Sequence, residues 1–334
     1  MNLICIVEQI RKAIEENEAL GYSKEENYTI EQWVRLWFKI YEKPTIKKTT
    51  ANQMESFIEI YIVPMIGNVL LRKFTPIMAQ TFINDLKNTP KKSQNGFLSS
   101  KTVKEIFGVL KLAMKQAVVD RQIMYNPCEG CKLPKIEKKE RHVLPIEKMS
   151  EYLSLAKERG FLPLFYLELT TGLRRGEVLA LEWKDLNVDT CELSITKGVS
   201  RTSDGLEVST PKTRNSIRTI TITPEAVELL VEEHNKHPNN ELMFPSPKTG
   251  GLRDPDSISR VHKRIAKRIG EEGLSFHDLR HTYTTNSIMA GVDIKTLSKN
   301  LGHANPNITL DIYSHVTNGM KKEAANQMSQ FMQS

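Results

Sequence analysis

The chain has 334 residues, with 47 Lys and Arg against 40 Asp and Glu and a formal charge of +7. At roughly 100–200 residues per domain it has room for about two domains. Its 39% hydrophobic and 26% charged residues exclude a largely disordered chain, and its four cysteines exclude a disulfide scaffold. No apolar run approaches the roughly 20 residues of a membrane helix, and the N-terminus lacks the basic start of a secretory signal. Few cysteines and no such signal predict a cytoplasmic protein with no membrane association. The mild positive balance permits a polyanionic partner without requiring one.

Residues 1–27 read as a helical extension, with Leu3, Ile6, Ile10 and Ile14 at helical spacing. Four helices are predicted between Thr29 and Arg121. Thr29 and Gln32 form a capping box ahead of Trp33, Leu36 and Trp37. A second helix covers roughly 49–61. Thr75 and Pro76 suit the N-cap and first position of a third. The fourth carries Val103, Ile106, Phe107, Leu110, Met114 and Ala117 on one face and Lys104, Lys111 and Lys115 on the other. That lysine face is either solvated or turned to a polyanion. Residues 127–142 are proline-rich and basic, with Lys132 and Lys135 among the cations, and predict an extended linker. Cys128 and Cys131 lack a second ligand pair at zinc spacing, so no metal is expected.

From Val143 the chain is mostly helical with one β interruption. Strands are expected at 195–199, 206–209 and 217–222, the last two joined as a hairpin across Thr210-Pro-Lys-Thr-Arg-Asn. Phosphate-loop, dinucleotide-fold, nucleophile-elbow and zincin signatures are absent, which argues against ATPases, dinucleotide enzymes, that class of serine hydrolase and zincins.

The chemistry-bearing residues are cations beside sharp turns. Arg174 opens a helix after Thr171-Gly172-Leu173, with Glu177 three residues on. His277 and Arg280 share a helix face at i, i+3. His303 follows Leu301-Gly302, and Tyr313 lies ten residues later. Each alone has an ordinary reading: a cap-region arginine, a surface histidine, a packed tyrosine. Together, two arginines, Lys212, two histidines and a tyrosine suit attack on a phosphodiester. Guanidiniums grip non-bridging oxygens in bidentate fashion, and preorganised cations stabilise the five-coordinate transition state. Tyrosine, with a pKa of about 10, needs such help to act as a nucleophile. No carboxylate cluster points to a metal requirement.

In this order and context, Arg174-x-x-Glu177, Lys212, His277-x-x-Arg280, Leu-Gly-His303 and Tyr313 resemble the tyrosine recombinases of the phage-integrase family. The resemblance carried by motifs spans about Val143–Val316. Pro64-Met-Ile-Gly67-Asn-Val-Leu70, followed by Thr75-Pro76, is similar to a looser pattern of the family's helical core-binding domain.

The implied fold is mainly α with a small antiparallel β-sheet. It comprises a helical, SAM-like core-DNA-binding domain (28–126), a basic linker (127–142), an α+β catalytic domain (143–318) and a tail (319–334) that docks in trans or packs in cis. The family implies that Tyr313 attacks the scissile phosphate to give a 3′-phosphotyrosyl link. Arg174 and Arg280 would clamp the phosphate, Lys212 would protonate the leaving 5′-oxygen and His277 would accept the tyrosine proton or bond the phosphate. His303 would donate to a non-bridging oxygen, and Glu177 would support the site without touching the phosphate. Lys104, Lys111, Lys115, Lys132 and Lys135 become DNA-backbone candidates, and the two domains would close on the duplex as a clamp. Implied partners are double-stranded DNA with specific recombination sites, a homo-tetramer on two duplexes, and accessory DNA-bending or directionality proteins in a bacterial cytoplasm. No cofactor is implied. The biological role expected is integration and excision of a mobile element. The alternatives are a type IB topoisomerase-like relaxing enzyme and a non-catalytic DNA-binding regulator. Residues 1–27 are too short for the arm-binding domain that many relatives carry.

Overall fold

The computed structural model describes residues 27–91, 96–136, 142–202, 205–210 and 217–302. The chain divides into two compact units, the first ending at Lys139 and the second beginning at Glu140.

The first unit is helical. Helix α1 (Ile30–Trp37) starts at the expected capping box: Thr29 Oγ1 accepts the Gln32 N–H at 3.3 Å, and Gln32 Oε1 accepts the Thr29 N–H at 2.9 Å. A π-helical turn, Phe38–Glu42, extends it. Helix α2 (Lys48–Phe57) runs through a second π turn, Ile58–Ile62, into the short α3 (Val63–Ile66). This helical path passes the expected end near residue 61. Pro64 cannot donate to the ladder, and the widened turn before it absorbs the missing bond. Helix α4 (Pro76–Lys87) is capped by Thr75, whose Oγ1 accepts the Met78 N–H. Helix α5 (Ser100–Val119) buries the predicted stripe from Val103 to Ala117. Trp33 fixes α1 to α5 by donating from Nε1 to the Ala113 carbonyl at 2.9 Å. The start of the predicted linker belongs to this unit. Cys128 is buried in the same core, and the Gln80 side-chain amide both donates to and accepts from the Lys132 backbone. Burial pushes the Cys128 thiol up to about 12, so it is a neutral packing group.

The second unit is built around α7 (Leu162–Thr171), which follows α6 (Ile146–Glu158) and is buried on nearly every side. A helix apolar all round belongs at the centre of a domain. Around it lie α8 (Arg175–Val178), α9 (Pro224–Lys236), α10 (Pro255–Arg268), α11 (Phe276–Met289) and α12 (Ile294–Leu301). Strands β1 (Leu186–Asn187), β2 (Glu192–Ile195) and β5 (Arg218–Thr221) form a three-stranded antiparallel sheet, with Leu193 opposite Ile220 and Ile195 opposite Arg218. Strands β3 (Gly198–Thr202) and β4 (Gly205–Ser209) form a separate hairpin.

The strand pairing corrects the sequence reading. β4 pairs back onto β3 rather than forward onto β5, and β5 pairs with β2. The Asp204-Gly205 pair is itself a hairpin signal, and Gly205 takes φ +125°. β5 alternates buried and exposed residues and fits beside β2 in the core, whereas β4 is largely exposed. The predicted strand 195–199 is two strands, broken before Gly198.

Candidate active site

Two helix ends meet around a cluster of arginines. α7 and α12 each close on a left-handed glycine, Gly172 at φ 61° and Gly302 at φ 62°. A Cβ on Gly172 would lie 2.4 Å from Tyr283 Cδ1, so both the turn and the packing require glycine there. Helix C-termini leave carbonyls without intrahelical donors and carry partial negative charge. Guanidiniums occupy those carbonyls here. Arg280, on α11 and 3% exposed, donates from Nη1 to the Gly172 carbonyl at 2.7 Å and from Nη2 to the Leu301 carbonyl at 2.6 Å. Arg174, immediately before α8, donates from Nη2 to the Gly302 carbonyl at 3.0 Å and keeps 40% of its side chain exposed.

Glu177 locks this arrangement from below. Its Oε1 accepts from Arg174 Nη1 at 2.7 Å, and its Oε2 accepts the Arg174 backbone N–H at 2.9 Å. Arg218 on β5 binds the same carboxylate, Nη2 to Oε2 at 2.9 Å and Nη1 to Oε1 at 3.3 Å. Burial works against charge on Glu177. The bonds and charge of Arg218, then of Arg174, outweigh it and hold the carboxyl below its usual range. Arg280 is pushed down to about 10 by burial and then by the nearby Arg174, and it stays charged at neutral pH.

Glu168, on α7, is fully buried, and neither carboxyl oxygen has a hydrogen-bond partner among the described residues. Burial raises its pKa well above the ordinary value against the opposing pull of Arg280. Three guanidiniums, those of Arg174, Arg218 and Arg280, converge here, and two of them share the one carboxylate of Glu177. Such a site suits an anion of fixed, fork-like geometry.

Of the residues expected from sequence, the fold brings together Arg174, Glu177 and Arg280. His277 is exposed at the start of α11, one helical turn before Arg280, with its ring edge-on to His281 at 4.8 Å. Lys212, His303 and Tyr313 lie outside the described residues, as do 1–26 and 319–334. In the first unit, Lys104, Lys111 and Lys115 lie on α5; Lys115 is exposed, and Lys111 pairs with Glu129 at 2.8 Å. Lys132 and Lys135 are exposed. Among the described residues, no group of three or more His, Cys, Asp or Glu could hold a metal ion.

Arg218 and Glu168 were missed. Arg218 sits in register with Ile220 and Ile222, the inward positions of a strand, where a cation signals a buried carboxylate partner. Glu168 is the lone charge in Leu162-Pro-Leu-Phe-Tyr-Leu-Glu-Leu169.

The arginine cluster is set in an α+β frame between two helix ends. Residues 146–320, more than half the chain, match the phage integrase family model, and residues 29–87 match the N-terminal SAM-like domain of phage integrases. A tyrosine recombinase XerC-like protein of Caldanaerobacter subterraneus is 31% identical over 260 residues, 69% of this chain and 66% of that protein. The ICEBs1 integrase of Bacillus subtilis is 30% identical over 249 residues, 70% of this chain and 67% of that protein. The matches thus span about two thirds of these relatives' own length. Among solved structures, the Tn1549 transposon integrase in complex with a circular intermediate DNA superposes with a TM-score of 0.77 at 20% identity, over 90% of this chain and 99% of that one. A lambda integrase tetramer bound to a Holliday junction superposes at 0.65 and 18% identity, over 93% and 87%. The chain belongs to the phage integrase family, the tyrosine recombinases.

Proposed function

We propose that this chain is a site-specific DNA recombinase that breaks and rejoins DNA through a 3′-phosphotyrosyl intermediate and serves integration and excision of a mobile element. The observation that carries this reading is the pair Arg174 and Arg280, both held on helix-end carbonyls around one cluster. Guanidiniums fixed before the reaction lower the barrier because they need no reorganisation as charge builds on the phosphorane.

Tyr313 supplies the attacking oxygen and gives its proton to His277. Its oxygen bonds to phosphorus, the P–O5′ bond breaks, and Lys212 protonates the departing 5′-oxygen. His303 donates to a non-bridging oxygen, and Glu177 orients Arg174. A 5′-hydroxyl from a partner strand then attacks the phosphotyrosine and regenerates Tyr313. One phosphodiester replaces another, so no nucleotide cofactor is consumed. The DNA-bound and tetrameric assemblies of similar integrases support duplex DNA as substrate and a homo-tetramer on two duplexes as the working form. Lys104, Lys111, Lys115, Lys132 and Lys135 contact backbone phosphates. The domains proposed are 28–126 for core binding and 143–318 for catalysis, joined by 127–142, with 319–334 docking on a neighbouring protomer. The setting is the bacterial cytoplasm, with accessory DNA-bending proteins as further partners.

A substrate with sulfur at the 5′-bridging position tests these roles. A thiolate leaves without a proton, since a parent thiol pKa is near 8.5. Sulfur should rescue Lys212→Ala and fail to rescue Tyr313→Phe, read as covalent protein–DNA product on a denaturing gel. Rescue of neither variant removes Lys212 from the role of general acid.

A further inference from the structure

The third arginine of the cluster, Arg218, has no part in the chemistry above, yet its side chain is buried to 4% exposure in a strand register otherwise filled by isoleucine. Burying a cation there is costly, and an apolar side chain would stabilise the sheet at least as well. The contacts it makes are specific. Its fork grips both oxygens of Glu177 at 2.9 and 3.3 Å, and its Nε donates to the Asn300 carbonyl. Gly302 lies so close that a Cβ there would come within 2.9 Å of Arg218 Nη1.

Glu177 and the turn at 300–302 are the same two supports that orient the other arginines. Glu177 holds Arg174 through two bonds, the Gly302 carbonyl holds its second nitrogen, and the Leu301 carbonyl holds Arg280. We infer that Arg218 is a positioning residue for the phosphate grip: it ties the Glu177 carboxylate to the 300–302 turn and so sets the spacing of Arg174 and Arg280. The inference rests on the recombinase reading above. Lysine at 218 keeps the positive charge beside Glu177 but cannot bridge both carboxylate oxygens and the Asn300 carbonyl.

The test compares Arg218→Lys with the wild-type full-length chain on two nicked duplexes built from the DNA flanking the encoding gene. One carries a normal scissile phosphate. The other carries a methylphosphonate, in which one charged non-bridging oxygen is an uncharged methyl. A misplaced phosphate grip costs about 10²-fold on the charged phosphate, the scale of a 1 Å displacement. On the methylphosphonate, which needs less charge neutralisation, the loss should be under about tenfold. DNA affinity, read by gel shift, should stay within about threefold, because many other phosphate contacts remain. Both rates come from one preparation, so any inactive unfolded fraction cancels in their ratio. Equal losses on the two substrates would make Arg218 a purely structural residue and overturn the inference, as would wild-type cleavage of the normal phosphate. If the wild-type chain captures neither duplex covalently, the recombinase reading fails first, and this inference with it.

Discussion

Glu168→Gln replaces a buried carboxyl by an amide of nearly the same shape. The wild-type carboxyl is fully buried without a hydrogen-bond partner, and its pKa is raised by burial. The unfolded chain releases that proton near the ordinary carboxylate pKa, while the folded chain retains it. Between the unfolded and folded pKa values the native state therefore binds more protons than the unfolded state, and stability falls as pH rises. Each pH unit in that window costs the wild type about 1.4 kcal/mol, a cost the glutamine variant lacks. Below about pH 4 the two proteins should melt alike, and the advantage of Glu168→Gln should grow toward neutral pH. The assay is thermal or urea unfolding at matched pH values from 4 to 8. Covalent capture of DNA by the variant at pH 7 should stay within a few-fold of wild type, because neither carboxyl oxygen is bonded to the arginines. A glutamine variant less stable than wild type at neutral pH, or one cleaving 10²-fold more slowly, would mean that Glu168 is ionised and paired with an arginine, and would refute the raised pKa.

His262 predicts the opposite slope. It is fully buried, with Nδ1 within 2.8 Å of the Tyr152 hydroxyl and Nε2 within 3.1 Å of the Leu274 carbonyl, and burial lowers its pKa from 6.5 to about 4. Here the unfolded state binds the proton first, so stability should fall as pH drops from about 6.5 to 4, by up to about 3 kcal/mol. His262→Gln should flatten that limb in the same unfolding series, and an unchanged limb would contradict it. On DNA, replacing Lys104, Lys111 and Lys115 together should flatten the log–log salt dependence of affinity by about 0.9 for each phosphate no longer neutralised. Because Lys111 is paired with Glu129, Glu129→Gln should free it and tighten binding modestly at low salt. An unchanged slope in the triple variant would mean a solvated face.

Local signals were legible. The Thr29–Gln32 box, the Thr75-Pro76 start and the buried stripe of α5 depend on residues within a turn or two of one another, and each was readable before any fold was known. Strand pairing was not, because β4 is flanked by two candidate partners and the choice lies in burial: β5 carries Arg218 and Ile220 inward and is taken up by β2. The π turns at 38–42 and 58–62 were equally hidden, since helical periodicity does not show a one-residue slip. At the site, the Arg174-x-x-Glu177 pair is local and readable. Arg218 reaches Glu177 across 41 positions and Arg280 reaches Gly172 across 108, so neither contact has a sequence spacing to betray it. Glu168 stood out only as a lone charge in an apolar helix, and its raised pKa follows from its burial rather than its neighbours in sequence.

In the proposed reaction Tyr313 is the residue that carries the DNA. The most direct measurement is to trap the covalent product on a nicked duplex from the DNA flanking the encoding gene, digest the protein and DNA, and locate the linked residue by mass spectrometry. The expected result is a single adduct, a 3′-phosphate joined to the phenolic oxygen of Tyr313, with a free 5′-hydroxyl on the departing strand and no adduct from Tyr313→Phe. A covalent product at another residue, one bearing a 5′-phosphate, or one that survives Tyr313→Phe would contradict it.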